Sequence, residues 1–160
     1  MRFAALRYFN AAGYDSLRRI TSLENNPENL IPIVMEVASG RRQKMEVFGD
    51  NYDTDDGTGV RDYIHVTDLA SAHVKCIEYL NENASLTVNL ATGESHSVLD
   101  VISLAKEISG KDIPFDIVDR RPGDPAKLYA VTNRAFESLN WEAKYSDLKT
   151  LLETTWKVYQ

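Results

Sequence analysis

From residue 2 to residue 158, short β-prone runs alternate with longer stretches whose apolar residues recur at helical spacing. Few folds accept that order. A strand followed by a helix before the next strand pairs most simply in parallel, so the alternation predicts an α/β class with at least some parallel pairing. The first run, RFAALRYF at 2–9, is apolar with little polar alternation, which predicts a strand covered on both faces. A loop rich in Gly, Asp, Ser, Asn and Pro extends from there to Asn29.

A helix is predicted over 30–39, where Ile33, Val34, Val37 and Ala38 share one face, Pro32 is tolerated in the first turn and Gly40 stops the helix. Strands are predicted at 45–48 and 61–66, the second with Tyr63 and His65 on one face and Ile64 and Val66 on the other. Thr67 then caps a helix with Asp68 near its positive end and an inner stripe of Leu69, Ala72, His73, Cys76, Ile77 and Leu80. Residues 86–91 read as a strand and Gly93 as a turn. Ser97 to Asp100 reads as a capping box opening a helix that turns Val101, Ile102, Ala105 and Ile108 inward and ends at Gly110. A strand at 114–118, a loop through DRRPGDPAK (119–127) and two amphipathic helices near 132–140 and 146–158 complete the chain.

A chain of 160 residues suffices for one well-buried domain. Its net charge of -6 argues against nonspecific binding to nucleic acid or to a membrane, both of which need a basic face. An anionic ligand would therefore have to be drawn by a few placed cations. Cys76 is the single cysteine, so an intrachain disulfide is excluded and a cytoplasmic setting is the default. No apolar run approaches the roughly 20 residues of a membrane helix.

The densest chemistry lies in residues 48–70, where Asp50, Asp53, Asp55, Asp56 and Asp62 surround one base, Arg61. A calcium loop counted from Asn51 fails, because its sixth position is Asp56 where a glycine is needed and its twelfth is Asp62 where a bidentate glutamate is needed. A solvated acidic turn is the simpler reading. His65, His73 and His96 have no zinc spacing, and His73 is expected as a partly buried packing residue. Gly57-Thr58-Gly59 lacks the third glycine of a dinucleotide turn and is expected to supply turn flexibility. Tyr145 and Lys149 have the spacing of a Tyr-x-x-x-Lys pair at the start of the last helix, in a segment otherwise patterned for packing. Arg61 and Arg121 stand at loop ends, and their forked donors suit a diphosphate; from spacing alone the simpler reading is that each pairs with a local carboxylate, Asp62 or Asp119.

LRYFNAAG (6–13), ENLIP (28–32), FGDNYDTDDGTGVRDYIHVTDLASAHV (48–74), NLATGESHSVLDVI (89–102) and RRPGDPAKL (120–128) together resemble the UDP-glucose 4-epimerases of the NAD-dependent epimerase/dehydratase family, within the extended short-chain dehydrogenase/reductases. The resemblance runs in order through almost the whole chain, and DGTGVRDYIHVTDLA is its most specific element. It implies the C-terminal part of a Rossmann-type doubly wound fold together with a small mixed α/β substrate-binding domain. It also implies an isomerase that uses NAD to exchange UDP-galactose and UDP-glucose in galactose metabolism. By that resemblance Phe9 lies beside the nicotinamide and Asn10 contacts the UDP-sugar. Asn29 and Leu30 approach the diphosphate, and Glu46, Val47 and Phe48 hold the uracil. Arg61 and Arg121 bind phosphate, and Asp124 accepts from the ribose hydroxyls. Leu128 replaces a tyrosine found in some members and is assigned no contact.

The resemblance places the Gly-rich NAD turn and the catalytic tyrosine and lysine in an N-terminal half that this sequence does not contain. Residues 1–160 are therefore expected to be the UDP-sugar-binding portion of an epimerase, as a fragment, a truncated product or one piece of a split enzyme. Such a portion is expected to be inactive without a separate NAD-binding half. A free-standing nucleotide-sugar binding or regulatory module, and an epimerase for another UDP-sugar, are the alternatives. Apolar surface left open on residues 2–9 would favour a homo-oligomer.

Overall fold

The computed structural model describes residues 1–160. β1 (Ala4–Arg7) and β2 (Asn10–Ala12) are followed by the loop to Asn29 and by α1 (Leu30–Ala38). β3 (Met45–Phe48) enters the acidic loop, from which β4 (Val60–Arg61) and β5 (Tyr63–His65) emerge, β5 running directly into α2 (Val66–Glu82). Then come β6 (Leu86–Asn89), β7 (His96–Ser97), α3 (Val98–Ser109), β8 (Phe115–Val118), β9 (Lys127–Leu128), α4 (Asn133–Leu139) and α5 (Leu148–Tyr159).

Three two-stranded ladders, β1 with β6, β2 with β5 and β3 with β8, are all parallel, and helices carry the chain between partners. Their registers set Ala4 opposite Leu86, Asn10 opposite Tyr63, and Met45 opposite Phe115. A fourth sheet is mixed: β4 lies between antiparallel β7 and parallel β9, with Arg61 opposite both His96 and Leu128. This is the α/β class expected from the alternation.

Two apolar clusters hold these pieces. The larger joins the inner faces of α1, α3 and α5 to β3 through Val34, Met35, Val47, Val101, Ala105, Leu151 and Leu152, all fully buried. The smaller joins α2 and α4 to β5 and β6 through Ile64, Ala72, Cys76, Val88, Ala135 and Trp141. α3 is anchored locally as expected: Ser97 Oγ accepts from Asp100 N, Asp100 Oδ2 accepts from Ser97 N, and Gly110 ends the helix.

Several expectations are corrected. β1 is half-buried rather than covered on both faces, and Phe3, Tyr8 and Phe9 remain exposed, because its ladder is only two strands wide. The strand expected at 61–66 breaks at Asp62 into β4 and β5, which belong to different sheets, and all three residues of β5 are buried. Periodicity could not reveal a strand buried on both faces. In α2, Leu69, Ala72 and Cys76 face inward, whereas His73 is exposed and Ile77 is 66% exposed, so the buried stripe is narrower than expected. Tyr145 lies before α5, and Lys149 pairs with Glu153, so the two do not share a helical face.

The cap of α2 is His65, not Thr67. Its Nδ1 accepts from Thr67 N at 3.0 Å, which leaves Nε2 to donate to Thr154 Oγ1 at 3.1 Å. His65 N donates to Ser146 Oγ at 2.8 Å, and Ser146 Oγ donates to buried Asp68 at 2.6 Å. This polar knot ties β5, α2 and α5 together, and it requires a neutral ring. Burial pulls the His65 pKa below its ordinary 6.5, with Asp68 and Asp147 opposing the shift. A folded-state value below the unfolded one means that the unfolded chain binds the proton first as pH falls. The knot's contribution is therefore complete above pH 6.5 and is lost as pH drops through the folded value. Urea titrations of the wild type should show stability falling as pH drops below 6.5, with a flatter dependence in His65→Asn; parallel curves would disprove this.

Candidate functional site

The N-terminus of α1, β3, β4 and the loop between β8 and β9 surround one cleft of 270 Å³. Asn10, Asn29, Leu30, Glu46, Val47, Phe48, Arg61, Arg121 and Asp124 all line it, so residues spread over most of the sequence converge on one hollow. Phe9 does not: it lies between β1 and β2 and is 43% exposed.

Each wall has a local cause. α1 begins at Leu30 with extended Asn29 as its N-cap, but no side chain caps it and no acid lies in its first turn. α2, α3 and α5 instead use His65, Ser97 and Asp147 as caps. The N–H groups of Leu30 and Ile31 therefore have no helical acceptor, and Pro32 contributes no N–H. Such an end attracts an anion. β3 alternates, with Met45 and Val47 buried in the core, Glu46 exposed and Phe48 half-buried at the rim. Asn10 is oriented by donating Nδ2 to the Asp62 carbonyl at 2.8 Å.

Arg121 and Asp124 are the ends of a tight turn. Pro122 and Gly123 occupy its centre, Gly123 has φ +80, and Asp124 N donates to the Arg121 carbonyl at 3.2 Å. The Arg121 guanidinium lies 3.9 Å from the centroid of the Phe48 ring and makes no ion pair. Arg61 is mostly buried and fixed by several acceptors. Nη1 donates to the Val60 carbonyl at 2.8 Å and the Ala126 carbonyl at 3.5 Å, and Nη2 donates to Asp124 Oδ1 at 2.6 Å. Neither arginine therefore pairs with the neighbour that sequence proximity suggested. Asp62 is buried and accepts instead from Thr92 N and Oγ1; burial outweighs those bonds and raises its pKa.

The acidic loop is a solvated turn only in part, with Asp50, Asp53 and Asp55 exposed. Tyr52, Thr58 and Gly59 are buried, and Asp56 accepts from Ser97 Oγ and, at 2.8 Å, from both N and Oγ1 of Thr58. Burial pushes the Asp56 carboxyl up, but the bonds from Ser97 and Thr58 prevail and its pKa is lowered. The glycines of GTG fix geometry rather than loosen it. A Cβ on Gly59 would come within 3.3 Å of Arg61 Nη1, so the absent side chain makes room for the guanidinium.

Sequence reasoning missed Tyr52, Gly59 and Tyr63 as lining residues. It also missed Arg120, whose guanidinium stacks 4.0 Å from the Tyr52 centroid while its Nε donates to Asn51 Oδ1 at 2.6 Å, joining the acidic loop to the β8–β9 loop. An aromatic residue inside an otherwise acidic loop was the available signal for Tyr52. Nothing in the spacing marked Arg120.

A family model described as GDP-mannose 4,6 dehydratase matches residues 1–155. The chain belongs to the NAD-dependent epimerase/dehydratase family. It is 45% identical over 157 residues to a UDP-glucose 4-epimerase of Halalkalibacterium halodurans, and 46% identical over 154 residues to that of Mus musculus. Those matches take in 98% and 95% of this chain but 47% and 44% of the relatives, so the chain spans about half the length of the curated relatives it matches. Among solved structures, the UDP-glucose-4-epimerase of Stenotrophomonas maltophila, with bound NAD and formylated UDP-arabinopyranose, superposes with a TM-score of 0.94 at 44% identity. The match covers 99% of this chain and 48% of that one. The Bifidobacterium longum enzyme, in complex with NAD+ and UDP, gives 0.89 at 38% identity, with 98% and 47% covered. The fold is thus the Rossmann-like fold of the epimerases.

The residues present here supply no pyrophosphate turn for NAD, the cofactor that the family implies. A dinucleotide pyrophosphate needs a strand entering a helix through a glycine-rich turn. The two direct strand-to-helix junctions, β5 to α2 and β7 to α3, contain no glycine, and their helix ends are capped by His65 and Ser97.

Proposed function

We propose that residues 1–160 form the UDP-sugar-binding portion of a UDP-glucose 4-epimerase, whose exchange of UDP-galactose and UDP-glucose depends on an NAD-binding half outside this sequence. The observation that carries this reading is the convergence of Arg61, Arg121 and the uncapped start of α1 on one cleft. On this reading β3 presents Glu46, Val47 and Phe48 to the uracil, and Asp124 faces the ribose. Arg61, Arg121 and the N–H groups of Leu30 and Ile31 bind the diphosphate. Binding energy is concentrated on the nucleotide, leaving the hexose free to turn over between its two faces. Phe9 is the one residue assigned to the nicotinamide, and its exposure is consistent with a position that another part of the enzyme would cover.

A second reading, a nucleotide-sugar binding or regulatory module without catalysis, is favoured by one observation. Tyr145 stands outside α5 with its N–H donating to Asp68, so Tyr145 and Lys149 are not arranged as a base. An epimerase for a different UDP-sugar shares every contact above, and one structural relative is the UDP-Glc/GlcNAc 4-epimerase of Campylobacter jejuni.

Calorimetry of the 160-residue chain with UDP tests the nucleotide assignment, and saturable binding is expected. Incubation with UDP-galactose and NAD should give no UDP-glucose. Turnover by the isolated chain would refute its dependence on a second half, and absence of heat with UDP would refute a preformed nucleotide site.

A further inference from the structure

The Arg61 guanidinium cannot approach an anion unopposed. Asp124 holds Nη2 at 2.6 Å, and backbone carbonyls of Val60 and Ala126 fix Nη1, so the arginine is not free to swing toward a ligand on its own. Asp124 has the opposite character. Its side chain is 34% exposed against 15% for Arg61, it projects from the end of the turn that also carries Arg121, and no other protein donor reaches its carboxylate. The pair is therefore a cation fixed by three acceptors beside a more exposed anion held by that cation alone.

Charge around the rim sharpens the contrast. Glu28, Glu46 and Asp124 line the cleft against Arg61 and Arg121, three carboxylates to two guanidiniums. A free phosphate or pyrophosphate concentrates negative charge and, near neutral pH, offers at most one or two P–OH donors against many acceptors. At the donors of Arg61 left free it meets the like charge of Asp124 at short range, a repulsion that its few donors do little to offset. A ligand that brings hydroxyl groups beside its diphosphate can satisfy both partners, the phosphate oxygens accepting from Arg61 while the hydroxyls donate to Asp124.

We propose that Asp124 determines specificity in this cleft as an internal competitor for Arg61, excluding free polyphosphates and yielding to nucleoside diphosphates that supply vicinal hydroxyl donors. The inference deepens the nucleotide reading above and rests on it for the identity of the ligand. Its distinguishing consequence is a change of opposite sign for two ligands. Removing the carboxylate should improve the site for a bare anion and impair its preference for a nucleotide.

The test is calorimetry of the wild-type chain, Asp124→Asn and Asp124→Ala with inorganic pyrophosphate and with UDP, at fixed low ionic strength, with thermal melts to verify folding. Asp124→Asn is expected to bind pyrophosphate about fivefold to tenfold more tightly than wild type and to lose at least about tenfold in its ratio of UDP to pyrophosphate affinity. Asp124→Ala should show the same gain for pyrophosphate if charge rather than shape excludes the anion. Pyrophosphate affinity that is unchanged, weakened or undetectable in both variants overturns the proposal, whatever UDP does. Tightened pyrophosphate binding with no UDP binding by the wild type would support exclusion by Asp124 and refute the nucleotide reading alone.

Discussion

Replacing Arg61 by alanine should weaken UDP binding by about 100-fold, close to 2.7 kcal/mol, and this is the largest functional effect expected of any single side chain in the cleft. Three features make the loss large. The guanidinium is mostly buried, so solvent screens its attraction for a diphosphate poorly. Its orientation is already fixed by the Val60 and Ala126 carbonyls, so little conformational entropy is lost when it binds. Its removal also leaves Asp124 facing the ligand without a counter-charge. Arg61→Lys should recover only part of the affinity, because an ammonium cannot hold the carbonyls, the carboxylate and a phosphate through one planar fork. Calorimetric affinities within a factor of about three of wild type for Arg61→Ala would remove Arg61 from the phosphate site.

The largest structural effect is expected at Gly57. Its backbone has φ +79, and a Cβ built there would lie 1.9 Å from the Asp50 carbonyl oxygen and 2.7 Å from the Asp50 carbonyl carbon. That obstacle is backbone and cannot rotate away. The same turn is closed by Tyr52 N donating to the Gly57 carbonyl at 2.8 Å, so opening it also displaces buried Tyr52 from beneath Arg120. Gly57→Ala should cost about 3 kcal/mol or more, a fall of roughly 6 to 12 °C in Tm for a chain of this size. Gly40 provides the control. It has a similar φ of +77 at the end of α1 but nothing within 4 Å of its would-be Cβ. Gly40→Ala should therefore cost only the conformational part, about 1 kcal/mol. Equal melting temperatures for the two variants would show that the Asp50 contact is not what makes Gly57 necessary.

Local elements were legible in the sequence where one or two residues suffice to define them. The turn Arg121-Pro122-Gly123-Asp124 declares itself, because proline fixes one central position and glycine permits positive φ at the next. The start of α1 at Leu30 was likewise written locally, by Pro32 in the first turn and Gly40 beyond the end. The capping box of α3 required only Ser97 and Asp100, three residues apart. The same local signals misled at Thr67, a good capping residue by type, because they could not show that the ring of the buried histidine two positions earlier would reach its N–H first. They misled again at residues 61–66, where a single apparent strand divides between two sheets at Asp62. Strands β2, β4, β7 and β9 are two or three residues long, and their ladders have no period to detect.

What the sequence by itself determined is the α/β order, most helix positions, the tight turn carrying Arg121 and Asp124, and, through resemblance, the family and the residues worth watching. These follow from spacing along the chain, which local backbone sterics and apolar periodicity convert directly into structure. Tertiary structure alone decided that Arg61 is held by Asp124 rather than by Asp62, that Arg120 clasps the acidic loop through Tyr52, and that Asp56 is bound to Ser97. Each is a contact between residues at least 41 positions apart. Which charge meets which across such a distance is set by the packing of the sheets that carry them, not by the identity of their neighbours in the chain.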